Sequence, residues 1–251
     1  MPEIIFTGKN RIDLSETPST NTYANELLIT HPPEGTLITT VNQTKGKGQK
    51  GNTWTSRPGQ NLTFSVIYYP DFLTPDRMFM LSKIASLAVR DTVAEFLPLE
   101  DVWIKWPNDI LLNRKKVAGI LIENQLEGMG IRASIIGIGL NVNQLSFPPE
   151  IESRAVSMRK YHPVDLAPEK VLSRLLFHLE TWYLAGRRGN AESVNRAYFS
   201  HLYGYQQPVE MKIQDRKIKA PIAGISPSGK LAVQIGEKMQ YFDFKEIEFV
   251  F

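Results

Sequence analysis

Residues 43–54, Gln-Thr-Lys-Gly-Lys-Gly-Gln-Lys-Gly-Asn-Thr-Trp, stand between two runs with strand character, the β-branched 36–41 and the apolar 62–69. Gly46, Gly48 and Gly51 spell G-x-G-x-x-G, and Asp71 lies twenty residues beyond Gly51, which invites a dinucleotide-binding reading. That fingerprint must open a helix, whereas residues 52–61 carry Pro58, Gly59 and scattered hydroxyls with no apolar helical face. A Walker loop is also excluded, because Gly51 is followed by Asn52 and Thr53 instead of Lys and Ser/Thr. The loop therefore joins two strands. Its glycines permit positive φ and close backbone approach, and Lys45, Lys47 and Lys50 supply charge, so it suits an anionic small molecule; the alternative is a solvated hairpin loop.

Helical and strand patterns alternate to about residue 205. Ser19-Thr-Asn21 offers N-cap oxygens for a short helix through Leu28, and Thr74-Pro75-Asp76 starts a helix whose Met80, Ile84, Leu87, Ala88 and Val93 share one face. Strands are expected at 102–106, 116–123 and 131–142, the last two apolar enough for the middle of a sheet, and helices at 169–185 and 191–203. From Gln207 short β segments with a turn at Ser226-Pro-Ser-Gly229 suit a small barrel. The expected class is α/β (α+β), with domains at 1–205 and 206–251. A chain of 251 residues, 42% hydrophobic, can bury one core and still leave such a second unit. The absence of cysteine excludes disulfides, thiolate nucleophiles and zinc–cysteine sites, and fits a reducing compartment. No apolar stretch resembles a signal peptide or a membrane span, so the expectation is a cytoplasmic protein without membrane contact. A net charge of +3, spread along the chain, favours local anion binding over a nucleic-acid footprint.

Three further segments carry polar chemistry. Thr17-Pro-Ser-Thr-Asn21 could hydrogen-bond a neutral polar head group, or could simply cap a helix. Lys105-Trp-Pro-Asn-Asp109 ends a strand in a proline-constrained turn that presents Asn108 and Asp109, suited to a ribose or a phosphate-bound magnesium ion, or else to turn capping. Residues 113–123, Asn-Arg-Lys-Lys-Val-Ala-Gly-Ile-Leu-Ile-Glu, read as a hairpin in which Lys116 opens a strand and Gly119 lets a ligand approach.

Together with Gly137-Ile-Gly-Leu-Asn-Val142, these segments closely resemble a biotin protein ligase over residues 15–143. The resemblance implies a catalytic domain like that of class II aminoacyl-tRNA synthetases, with a mixed sheet, followed by a C-terminal SH3-like β-barrel. It also implies the reaction. Biotin carboxylate attacks the α-phosphate of ATP, with magnesium, to give biotinyl-5′-AMP, and a lysine of a biotin carboxyl carrier protein then displaces AMP. Many bacterial relatives carry an N-terminal DNA-binding domain; the start of this chain, about eighteen residues before Ser19, leads to the expectation of a monofunctional enzyme. Carried over by position, Ser19, Thr20, Asn21 and Gln43 hold the biotin head, with Gly119 near its tail. Lys47, Gly48, Gln49 and Lys116 meet carboxylate and phosphate, Lys47 and Lys116 being the catalytic pair. Lys50, Asn52, Trp54, Asn108, Asp109 and Asn141 take the ATP and adenylate side, Trp54 stacking on adenine and Asp109 touching magnesium indirectly. The family loop commonly reads Gly-Arg-Gly-Arg-x-Gly. Lys47 and Gln49 stand in the arginine places, which removes the bidentate guanidinium grip and leaves Lys50 to compensate.

Overall fold

The structure, a computed structural model, describes residues 4–214 and 216–250, with the side chain of Lys50 outside the described part. The chain runs β1 (Arg11–Thr17), α1 (Thr20–Leu27), β2 (Leu37–Gln43), β3 (Leu62–Tyr68), α2 (Phe79–Phe96), β4 (Val102–Lys105), β5 (Asp109–Leu112), β6 (Lys115–Glu127) and β7 (Gly130–Leu140). There follow α3 (Pro149–Glu152), α4 (Pro168–Arg187), α5 (Ala191–Ser200), β8 (Pro208–Ile213), β9 (Arg216–Ile225), β10 (Leu231–Ile235), β11 (Lys238–Phe242) and β12 (Ile247–Phe249). The first seven strands form one mixed sheet in the order β1-β2-β3-β7-β6-β5-β4, with only β1 and β2 parallel. The last five form a separate antiparallel sheet, β11-β10-β9-β8-β12, in the place of the expected barrel.

β7 occupies the middle of the large sheet, as its apolar run demands, and every residue from Ala133 to Leu140 is buried. Its alternation divides two layers: Ile135 packs under α1 with Ala24, Leu28, Ile38 and Ile67, while Ile136 and Ile138 join the larger core beneath α2 and α4. Met211, Ile222, Val233 and Phe249 of the small sheet belong to that same larger core.

Several boundaries differ from the sequence reading for tertiary reasons. β1 was not expected, because only Ile12 and Leu14 are apolar in it and both are half-buried at the sheet edge. β5 was hidden inside what reads as a turn: β4 stops at Lys105, a cis Trp106–Pro107 bond follows, and Asp109 re-enters the ladder opposite Lys105 and Gly119. One 3-10 turn, Pro75–Arg77, precedes α2. Helix α5 ends at Ser200 instead of 203, because Ile104 N–H donates to His201 O and Tyr203 N–H to Ile104 O, each at 2.8 Å.

Candidate active site

Gly119 and Gly139 face one another across β6 and β7, and Gly137 pairs with Leu121 two residues further on. Three missing side chains leave a smooth floor on the sheet. A Cβ on Gly137 would overlap the Asn21 amide, and one on Gly139 would overlap the Trp54 indole, so both neighbours lie directly on the backbone. Over this floor opens a cavity of about 440 Å³, within the usual range for small-molecule sites. The glycine-rich segment forms its rim as a small hairpin: Lys47 pairs with Thr53, Gly48 N–H donates to Asn52 O at 2.7 Å, and Trp54 N–H to Gly46 O at 3.0 Å. Of its glycines only Gly51 needs positive φ, at 88°. The segment joins β2 to β3, as expected, without opening an α-helix.

Ser19 occupies the N-cap of α1 but makes no side-chain cap hydrogen bond, so its hydroxyl is not spent on the helix. Thr20 N–H donates to Gln43 Oε1 at 2.9 Å. The Ser65 hydroxyl lies 2.7 Å from both Thr20 Oγ1 and Asn21 Oδ1, and Asn21 Nδ2 donates to Glu123 Oε2 at 2.7 Å.

The charged end centres on Asp109. Lys116 Nζ approaches Asp109 Oδ1 at 2.6 Å, Lys105 Nζ approaches Oδ2 at 3.4 Å, and the Lys116 ammonium also lies 5.7 Å from the Trp54 ring centroid. Asn108 is clamped onto β6, its Nδ2 donating to Ile120 O at 2.7 Å and its carbonyl accepting from Ile120 N–H at 2.9 Å. The structure brings Ser19, Thr20, Asn21, Gln43, Lys47, Gly48, Gln49, Asn52, Trp54, Asn108, Asp109, Lys116 and Gly119 onto this one cavity.

Asn141 lies instead on an adjoining cavity of about 630 Å³, which shares Asn52, Trp54, Asp109 and Lys116 with the first and adds Arg114 and Arg154. Asn141 Nδ2 donates to Val156 O at 3.1 Å, while its buried Oδ1 has no partner. The wall here is a strap pinned beside the lysine, with Lys116 N–H donating to Arg154 O at 2.8 Å and Val156 N–H to Lys116 O at 3.0 Å.

Sequence reasoning missed two groups. Phe244 and Lys245, in the turn between β11 and β12, and Ile247, Glu248 and Phe249 of β12 line the first cavity, and no local spacing announces them. Ser65 and Glu123 stand behind the polar cluster; a serine, a poor strand former, within the run Leu62-Thr-Phe-Ser-Val-Ile67 was the available signal for the first.

The pattern of the biotin/lipoate A/B protein ligase family matches residues 14–143. The bifunctional ligase/repressor BirA of Bacillus subtilis is 31% identical over 243 residues, which is 96% of this chain and 74% of that protein. A biotin–[acetyl-CoA-carboxylase] ligase of Paracoccus denitrificans is 28% identical over 228 residues, 88% of this chain and 92% of that one. The solved biotin protein ligase of Aquifex aeolicus in complex with biotin and ATP aligns with a TM-score of 0.78 at 26% identity, covering 96% of this chain and 98% of that one. Glycine floor, lysine-bearing strand and sequence pattern thus agree, and the chain belongs to the biotin/lipoate A/B protein ligase family.

Proposed function

We propose that this protein is a biotin protein ligase, which activates biotin with ATP to biotinyl-5′-AMP and transfers biotin to a lysine of a biotin carboxyl carrier protein. The observation that carries this reading is that one cavity combines the neutral polar cluster of Thr20 and Gln43 with the ammonium groups of Lys47 and Lys116. A cyclic urea needs the first and a carboxylate meeting a phosphate needs the second. A lipoate ligase would share the fold and the lysine, but its apolar ring gives the buried Thr20 and the half-buried Gln43 nothing to bond.

The first half-reaction brings two anions together, so the protein's task is charge compensation and alignment; no protein nucleophile is required. Lys116 is held in the cavity by Asp109 and faces the indole of Trp54, so its charge is positioned before substrate arrives. In this reading Lys47, Gly48 and Gln49 close over the carboxylate while Gly119 leaves room for the aliphatic tail. Ser19, Thr20 and Gln43 take the ureido ring, with Asn21 behind them. Asn52, Trp54 and Asn108 line the nucleotide side, as does Lys50 by position. Asn141 offers an acceptor, its unpaired Oδ1, to the adenine amine. Both oxygens of Asp109 already have ammonium partners, and no cluster of three metal-ligating side chains occurs among the described residues, so the protein fits magnesium only through an outer contact at Asp109. Bound on the ATP phosphates, the ion would supply further charge neutralisation.

We further propose that 1–205 is the catalytic domain and 206–251 an appended barrel that helps close the site, through Trp106 Nε1–H donating to Gly229 O at 2.9 Å. The acceptor is proposed to be the carrier domain of a biotin-dependent carboxylase, and the compartment the cytoplasm. Among the described residues no helix is long and apolar enough to cross a membrane.

Incubation with ATP, magnesium and either biotin or lipoate tests the assignment. Pyrophosphate release is expected with biotin alone; release with lipoate alone, or with neither, overturns it.

A further inference from the structure

A third cavity, of about 120 Å³, adjoins the first. It lies where β6 loses its neighbour: β5 pairs with β6 only as far as Gly119, and beyond Ile120, which Asn108 still holds, no strand of the large sheet covers that edge. The start of α2 fills part of the gap, adding Phe79, Ser82 and Ser86 to the lining beside Ile122 and Asn124 of β6. The inner end meets the first cavity, because Gln49, Pro107, Asn108, Ile120 and Phe244 line both. Its outer end is marked by Ser228, exposed in the turn before β10, and by Met78, 38% exposed.

Size, chemistry and position together say what fits. The space is well below the ~300 Å³ at which cofactor and drug-sized sites begin, yet it can take one extended side chain. Among the described residues no ionisable side chain lines it. The Ser86 hydroxyl, on a residue 0% exposed, finds no partner among the described residues. An amine there meets a hydroxyl that can accept its N–H and no carboxylate to keep it protonated, and burial away from anions favours the neutral form of a lysine. That form is the nucleophile. Gln49 belongs to the rim that closes over the biotin carboxylate, and Asn108 precedes Asp109, the anchor of Lys116. The passage therefore arrives at the acyl group, while biotin and nucleotide take the first and second cavities.

We propose that this passage is the port through which the acceptor lysine of the carrier protein reaches the adenylate. The proposal rests on the biotin-ligase reading and adds to it the route of the second half-reaction. The lysine enters past Met78 and Ser228, runs its four-carbon stem along Phe79 and Ile122, and brings Nζ between Gln49 and Asn108. Its ammonium loses one proton to water before attack. The N–C bond then forms, the bond from the acyl carbon to the phosphate oxygen breaks with its electron pair leaving on AMP, and the nitrogen gives a second proton to water.

Filling the passage should separate the two half-reactions. Ser82 is half-buried and lines neither of the other two cavities, so Ser82→Phe puts a ring into this space alone. Biotin-dependent pyrophosphate exchange measures adenylate formation. Single-turnover discharge of enzyme-bound biotinyl-5′-AMP, to a saturating apo carrier domain or to hydroxylamine, measures transfer. Exchange and hydroxylamine discharge should stay within about twofold of the parent, while carrier transfer falls about tenfold or more. Hydroxylamine is small enough to require no port, so its unchanged rate shows that the acyl group is still correctly held. Ser228→Trp plugs the mouth from an exposed turn, where nothing is overpacked, and should act in the same way even where Ser82→Phe does not fold. Carrier transfer within about twofold of the parent in a folded variant overturns the port. A parallel fall in all three rates overturns it as well, because the pocket would then serve adenylation. A parent without biotin-dependent exchange overturns the ligase reading and the port with it, whereas a working parent whose variants transfer normally overturns the port alone.

Discussion

Lys116 is held by a carboxylate that has a second ammonium partner. Removing it leaves Asp109 paired with Lys105 at 3.4 Å, so Lys116→Ala does not strand a buried charge. With the Lys116 side chain 37% exposed, stability should change little. The chemical step is another matter, because a charge placed against the developing adenylate interacts more strongly in the transition state than in the ground state. Biotinyl-adenylate formation by Lys116→Ala should drop about a hundredfold, equivalent to ~3 kcal/mol, with a thermal midpoint close to that of the parent. Pyrophosphate release within tenfold of the parent would remove Lys116 from the catalytic pair.

At the scale of elements, the glycine-rich hairpin and the strap that ends at Ala155 stand on opposite footings. The hairpin closes on few backbone bonds of its own and bears several lysines, so it has little apolar surface to hold it. The strap is anchored at both ends, by Gln144 Oε1 accepting from Asn61 Nδ2 at 2.6 Å and by the backbone pairing at Lys116. Both flank the nucleotide-side cavity. Ligand binding should therefore protect residues 44–53 strongly and 145–154 in the middle of the strap, while the amides of Asn143 and Ala155, which donate to Gln60 O and Ile151 O at 2.8 Å each, are already slow before ligand is added. Amide hydrogen exchange with and without biotin plus ATP measures this; equal protection of 44–53 in the two states would mean a preformed rim.

At the scale of the whole molecule, Lys83 ties α2 to α5. It is 7% exposed, donates to Asn195 Oδ1 at 2.7 Å, and lies within 5.9 Å of the ring centroids of Phe79, Tyr198 and Phe199. Burial pushes its ammonium down from the ordinary 10.5 to about 8. The unfolded chain keeps that proton up to the ordinary value and the folded chain releases it earlier. Between the two the unfolded state binds more protons, and stability rises with pH. Burial moves Tyr68, Tyr183 and Tyr198 the other way, well above the usual 10.0, so above that pH the unfolded chain loses their protons first and stability falls. Denaturation midpoints should therefore climb from about pH 8 to about pH 10 and then decline. The climb is worth at most on the order of 3 kcal/mol, because the three ring faces favour the charged form. Lys83→Met should flatten the climb and leave the decline; a parent midpoint that is level across this window would show that Lys83 keeps its ordinary proton affinity.

The sequence by itself determined what depends on neighbours along the chain. A glycine-rich loop between two strand-like runs excludes a dinucleotide fold; the order of Ser19-Thr-Asn21, the loop, Lys105–Asp109, Lys116 and Gly137–Val142 carries the family; and the apolar 131–142 run finds the middle of the sheet. Periodicity identifies a buried face but not the residue it will meet. Only the tertiary structure therefore decided that Asp109 sits in a ladder opposite Gly119 and grips Lys116, that Asn21 reaches Glu123 across 102 residues of chain, and that the segment 244–249 completes the cavity. Each of these contacts joins strands remote in sequence, where register and sheet order select the partner, and no spacing within one segment encodes that selection.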